Sequence, residues 1–532
     1  MENKKTKIIS IVAIVALALT VITATYAYFN ASIGDPAAAD IRINANTVDT
    51  FTFSSGSAIS FSINQDNFAS GKGNITGSTY ASAMLTANNK TNTATEHYYL
   101  YLNIENNTFT YSINESTPEI IMTIKNSAGA EVTDISTLNH VIVTGANNTQ
   151  VSGYDITNKN GVITLFNSRE ITANPSKEEK WNITITFVNY DASQNANAGK
   201  SMSAKVMIQK EMIPLHESCN DNTLACHVAK LYTGTQGANG LYYHNSSLTN
   251  GAGDNSYRYA GANPDNYVCF GTTSPCPTDN LYRIIGVFGE NYHGVTGKQL
   301  VKLIKYDYAN GNLLGFDGEY SEDTYSKSSY SSYKGELTTI NRYYWDNFTK
   351  SNTWSESVLN QGNLNQNFIT NIGSEWAQKI ATTTWKVGGN LSVDIEYAVP
   401  SVAYQNEIVN LDPGYYSITG EKEYSAQIGL MYVSDYYYSA SSSAWTLTGY
   451  NSNSAKDYRA ATTLNWMYMG LDEWTISRVA SIAGSAVYVG DYGNVFSNDV
   501  ATAVGVRPTF NLLSSITYAG GSGTQSDPII IN

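Results

Sequence analysis

The chain has 532 residues and a net charge of −14; only 14% of the residues are charged, while 42% are hydrophobic and 12% aromatic. Charge this sparse, well under the usual ~25%, and acidic in balance, argues against a nucleic-acid binder, whose partner's phosphates need a basic surface. The apolar content is too high for a disordered chain, and the length suits two or three domains.

Lys4, Lys5 and Lys7 open the sequence, and the stretch Ile8 to Phe29 that follows carries no charge; the next charged side chain is Asp35. A helix of that length reaches about 30 Å, enough to cross a bilayer. The lysines before it, with Asp35 and Asp40 after it, orient the N-terminus inside. Two readings stand. Residues 1–30 form a secretory signal peptide cut between Ala27 and Tyr28, with Thr25 and Ala27 as the small residues before the cut. Alternatively, residues 8–29 stay as an uncleaved anchor in the plasma membrane. Either way the remainder is expected to be extracellular or at the cell surface.

Residues 36–212 read as all-β. The segments 97–113, 119–126, 140–145, 161–166, 180–190 and 203–210 alternate apolar with polar side chains. That period of two marks strands buried on one face. Turn-forming clusters such as "NSAGA" (126–130) and "NKNG" (158–161) separate them, and many short strands between turns suggest a β-sandwich.

"TYAYFNASIGD", which closes the apolar segment, resembles the export signals of the camelysin and biofilm-matrix fibre family of Gram-positive bacteria. The likeness covers about 35 residues at the signal, and over the sandwich it rests on pattern, ending in "WNITITFVN". It implies an exported β-sandwich able to join an extracellular matrix. Camelysin is linked to proteolysis, yet the six histidines (97, 140, 216, 227, 244 and 293) show no HExxH or close-paired spacing. No metal site and no cofactor is expected.

A compositional break falls at "QKEMIPLHESCND" (209–221). Only nine of the 40 tyrosines and one of the eight tryptophans, Trp181, precede residue 213, and all four cysteines follow it. A second domain is therefore placed over 213–532. Cys219 and Cys226 have six residues between them, as do Cys269 and Cys276. In an exported chain such pairs read as disulfides. Four cysteines allow three connectivities; the two local loops are favoured, with a zinc site as the rival. The segments 282–288 and 299–307 read as a strand pair. A helix is expected from Ser355, as its N-cap, to Gly362, with further helical patterns at 363–372 and 374–380. A hairpin over 485–496 and a closing strand over 505–513 complete an α+β domain.

The order of "YRIIGVF", "VLNQGNLNQNF", "IGLMYVSDYYYS", "NWMYMGLDEWTISR" and "VYVGDYGNVFSNDVATAVGVRPTFNL" resembles a C-type-lectin-like fold of the formylglycine-generating-enzyme kind. The likeness spans about 250 residues and implies a binding scaffold. The oxidising enzymes of that family use cysteines late in the fold, and none follows Cys276 here. The "EPN" and "WND" calcium signatures of sugar-binding lectins are absent as well. The fold class expected is thus multidomain: one N-terminal hydrophobic helix, an all-β sandwich, then an α+β C-type-lectin-like domain.

"SDYYYSASSSAW" (434–445) mixes tyrosine, serine and tryptophan as recognition loops do, because tyrosine offers contact area at low entropic cost and serine adapts around it. Tyr436, Tyr437, Tyr438 and Trp445 are the first ligand-binding candidates. Tyr488, Asp491, Tyr492 and Asn494 on the expected hairpin are the others. Packing in the core is the competing reading, and it is the one preferred for Trp466, Trp474 and an ion-paired Arg507. Glycosidase chemistry needs two carboxyl groups across a cleft, and Asp472, Glu473, Glu396, Glu407 and Asp412 cannot be paired by spacing. The expectation is non-catalytic adhesion to a surface glycan or protein. The alternatives are a fibre subunit that self-associates through the sandwich, and a hydrolase on the lectin-like scaffold.

Overall fold

The computed structural model describes residues 49–532 apart from 69–71, 89–91, 136–137, 273–274, 412–420 and 451–455. The N-terminal hydrophobic helix, its membrane reading over 8–29 and the cut between Ala27 and Tyr28 lie outside the described residues, as does Asp412. Among the described residues no helix is long and apolar enough to cross a membrane. The chain divides into two compact units between Ile213 and Pro214.

Among the described residues the first unit is built from strands, with short turns of 3-10 helix. In chain order these are β1 (Thr50–Ser55), β2 (Ile59–Ser62), β3 (Ile75–Thr86), β4 (Ala94–Asn107), β5 (Ile120–Asn126), β6 (His140–Thr144), β7 (Gln150–Asp155), β8 (Gly161–Ala173), β9 (Ser176–Phe187) and β10 (Ser201–Gln209). They pair into a six-stranded sheet, β1-β3-β9-β5-β7-β6, and a four-stranded sheet, β2-β10-β4-β8. Alternation explains the assembly. Leu100, Leu102 and Ile104 of β4 meet Ile183, Ile185 and Phe187 of β9 in one apolar core drawn from both sheets. Each such side chain contributes about 1.5–3 kcal/mol on burial. The strand expected over 97–113 stops at Asn107, whose amide turns aside to donate to the carbonyls of Ile156, Thr157 and Lys159.

The second unit centres on a sheet that starts with β11 (Leu241–Tyr243), β12 (Tyr257–Tyr259), β13 (Tyr267–Cys269), β14 (Leu281–Phe288) and β15 (Leu300–Lys305). Its order is β11-β12-β14-β15, followed by Thr509–Asn511 and Ile428–Gly429, with β13 also paired to β14. The expected strand pair is thus β14 and β15, antiparallel, with an irregularity between Ile284 and Gly286. Every residue of β14 and β15 is buried, the charged Arg283, Lys302 and Lys305 included, so neither strand alternates between buried and exposed positions. Ser485–Val489 and Val495–Asp499 form the expected hairpin. The cysteines pair locally, Cys219 with Cys226 and Cys269 with Cys276.

One helix boundary differs from expectation. Gly362 lies inside a π-type helix, Leu359–Phe368, rather than ending one. The helix runs on because its asparagines are anchored from outside: Asn363 Nδ2 donates to Leu314 O at 2.8 Å and Asn365 Nδ2 to Ile428 O at 3.0 Å. Ser357 Oγ, two residues after the expected Ser355, accepts the Asn360 amide at 3.2 Å.

Candidate functional site

Residues Val433–Tyr438 form a short helix in which every residue is buried. Two carboxylates satisfy its first amides: Glu407 accepts from Val433 and Ser434, and Asp435 accepts from Tyr432. With its N-terminus held by carboxylates inside the unit, the helix cannot be a surface loop. Tyr436 and Tyr437 are 0% exposed, Tyr438 and Trp445 1%. Their polar atoms are used internally. Tyr437 donates to Ile395 O at 2.8 Å, Tyr438 to Asn250 O at 3.3 Å, and Trp445 Nε1 to Ala440 O at 2.9 Å. These four side chains are therefore core, and the expectation that they form a recognition surface is corrected. Tyr488, packed between Trp474 and Phe496, and Asn494 in the hairpin turn are buried too.

Two of the eight candidates remain accessible, and the structure brings them together. Asp491 and Tyr492 sit on the Gly490–Asn494 turn of the hairpin, and Tyr492 is 71% exposed. They border a cleft of about 560 Å³ whose other walls are Ser329 to Ser332, Arg459, Thr462 and Tyr468. The cleft is fastened from several directions. Tyr468 donates its hydroxyl to Asp491 O, and the Asp491 amide donates to Asp472 Oδ1 at 2.9 Å. Ser332 Oγ donates to Gly470 O at 3.0 Å. Lys334 Nζ donates to Thr462 O at 2.8 Å and lies 4.7 Å above the Tyr468 ring. Arg459 pairs with Asp457 through Nε at 2.7 Å.

Tyr436 has an indirect part in this site. Its hydroxyl donates to Gly493 O at 2.8 Å, tying the turn down from within the core. Gly493 has φ +82°, and a Cβ there would lie 2.3 Å from Thr462 Cγ2, so the turn needs glycine at this position.

The electrostatics of the cleft follow from partial burial. Desolvation pushes the Asp491 and Asp472 carboxyls above their ordinary values, and it raises the Tyr468 phenol. Chemically the cleft offers phenol rings, hydroxyls that donate and accept, one accessible carboxylate and a guanidinium. Among the described residues no three His, Cys, Asp or Glu side chains are grouped as a metal ion would require. Two of the acids considered for hydrolysis have structural partners. Glu396 accepts from the amide and hydroxyl of Ser497, and Glu473 pairs with Arg507 at 2.7 Å in the core.

The wall formed by Ser329 to Ser332 is not among the ligand-binding residues expected from the sequence. A signal was there: "SKSSYSSYKG" (326–335) has the same serine–tyrosine mixture as 434–445. It differs in lying exposed at Ser329, Ser331 and Ser332. Arg459, Thr462 and Tyr468 had no local signal. No family model matches the chain, and no curated protein is significantly similar to it.

Proposed function

We propose that this is an exported bacterial surface protein, held by or released from the membrane, that recognises a ligand without catalysis. In this reading its first unit is a β-sandwich stalk and its second a C-type-lectin-like binding domain. The observation that supports it is the cleft itself, where the exposed Tyr492 ring, the Asp491 carboxylate, Arg459 and the Ser329–Ser332 hydroxyls converge. An aromatic face beside hydroxyls and one carboxylate suits a polyhydroxylated ligand, such as a surface glycan, whose ring stacks on tyrosine while its hydroxyls exchange hydrogen bonds. The test is binding of the purified protein to a glycan array and to cells, beside Tyr492→Ala and Asp491→Asn. Loss of binding of tenfold or more in variants with unchanged circular dichroism is expected. Equal binding by the variants would place recognition elsewhere.

One observation favours a second reading, a fibre subunit. Strand β6 is the last strand of its sheet, and Ile142 on it is 68% exposed. An apolar edge strand is a template for pairing with another chain. Light scattering against concentration would detect such assembly, and Ile142→Lys should abolish it; a protein that stays monomeric throughout counts against this reading.

A further inference from the structure

Lys302 on β15 and Asp435 on the helix Val433–Tyr438 are both 0% exposed at their side chains, and Lys302 Nζ lies 2.6 Å from Asp435 Oδ2. The pair is closed in by rings: Nζ sits 4.4 Å from the centroid of Tyr432, 4.7 Å from Tyr292 and 5.2 Å from Trp385. Tyr292 bridges the two groups. Its hydroxyl accepts from Nζ at 2.9 Å and donates to Asp435 Oδ1. Arg258 Nη1, which among the described residues has no hydrogen-bond partner, lies 3.8 Å from Oδ1.

We infer that Lys302 and Asp435 are the partners of an intramolecular isopeptide bond. The Lys302 nitrogen, after passing a proton directly to Asp435 Oδ2, 2.6 Å away, attacks Asp435 Cγ, and a C–N bond forms. Charge collects on Oδ1, where Tyr292 donates a hydrogen bond and Arg258 supplies a cation, so the developing oxyanion has its stabilisers in place. Oδ2 then leaves with the two protons the nitrogen has given up. An ammonium and a carboxylate become an amide and one water, with no outside reagent.

The surroundings favour this change. Burial lowers the Lys302 ammonium to about 8, which makes the amine nucleophile accessible. Holding an ion pair out of water costs several kcal/mol per ion, and the neutral amide removes that penalty. The condensation also leaves no orphan charge, because Arg258 keeps its partner Asp254 at 2.7 Å. The bond would clamp the central sheet to the helix whose Tyr436 anchors the Asp491–Tyr492 turn, across 133 residues of chain.

The test is mass spectrometry of the reduced wild-type protein beside Lys302→Met and Asp435→Ala. Expected are a wild-type mass one water below that of its sequence, no tryptic cleavage after Lys302, and one branched peptide containing both residues. Both variants should have their full sequence mass and run more slowly on a denaturing gel, where the closed loop of the wild type migrates faster. A wild type of full mass with linear peptides overturns the inference and leaves a buried ion pair. So does a mass deficit whose peptides are linear, as a cyclised aspartate would give, or one mapped to another pair.

Discussion

Tyr436 shows how a side chain can serve a site it does not touch. Its hydroxyl is fully buried and holds Gly493 O, so the turn carrying Asp491 and Tyr492 is positioned by the core beneath it. Tyr436→Phe removes that bond and leaves a buried carbonyl short of a donor, a loss of about 1–3 kcal/mol. Denaturant unfolding should register the change, with glycan binding weakening even though the cleft walls are intact. Glu319 is a second case. It is 0% exposed, among the described residues its Oε1 has no hydrogen-bond partner, and burial, with Asp346 beside it, raises its carboxyl to about 7. The folded state therefore holds a proton there that the unfolded chain releases near 4.3. Stability from this group is complete below that value and is lost as pH rises through about 7. Unfolding measured between pH 4 and 8 should show this decline, and Glu319→Gln should flatten it; an unchanged slope would show that another group is responsible.

Among elements, legibility tracked how each strand meets the core. β4, β5 and β9 present Leu, Ile and Phe inward at every second position, so alternation revealed them. β3 went unseen because its buried positions include Thr79, Ala81, Ser82 and Ala83, small side chains with little apolar signal, although it pairs along its whole length with β9. At Gly286 β14 leaves no room for a side chain: a Cβ there would lie 2.1 Å from Tyr257 O. That oxygen is backbone and cannot swing away, so Gly286→Ala must push β12 and β14 apart. The cost should be about 1–3 kcal/mol, the usual range for overpacking, and thermal melting would measure it. A wild-type melting temperature in this variant would mean the sheet has slack that its geometry does not suggest.

At the scale of the molecule, the two units have separate apolar cores, and both disulfides lie in the second. Two calorimetric transitions are expected, and reduction should lower only one of them. Each bridge closes a short loop, worth about 2–3 kcal/mol by the chain-entropy estimate. A shift in both transitions on reduction would show that the units unfold together. Much of this plan could be read without coordinates, because its signals are local. A strand with one buried face alternates along its own length, two cysteines with six residues between them can meet by a turn, and the aromatic content changes within a dozen residues of Ile213. The fate of the tyrosines is not local. Tyr436 donates to Gly493 O, Tyr437 to Ile395 O and Tyr438 to Asn250 O, each within the core. Tyr492, with the same chemistry, stands in solvent at the tip of a turn. A tyrosine suits either environment, having an apolar ring and a polar tip, so its own residue type does not choose between them. Segments tens to hundreds of residues away make that choice, and they meet only in the folded chain.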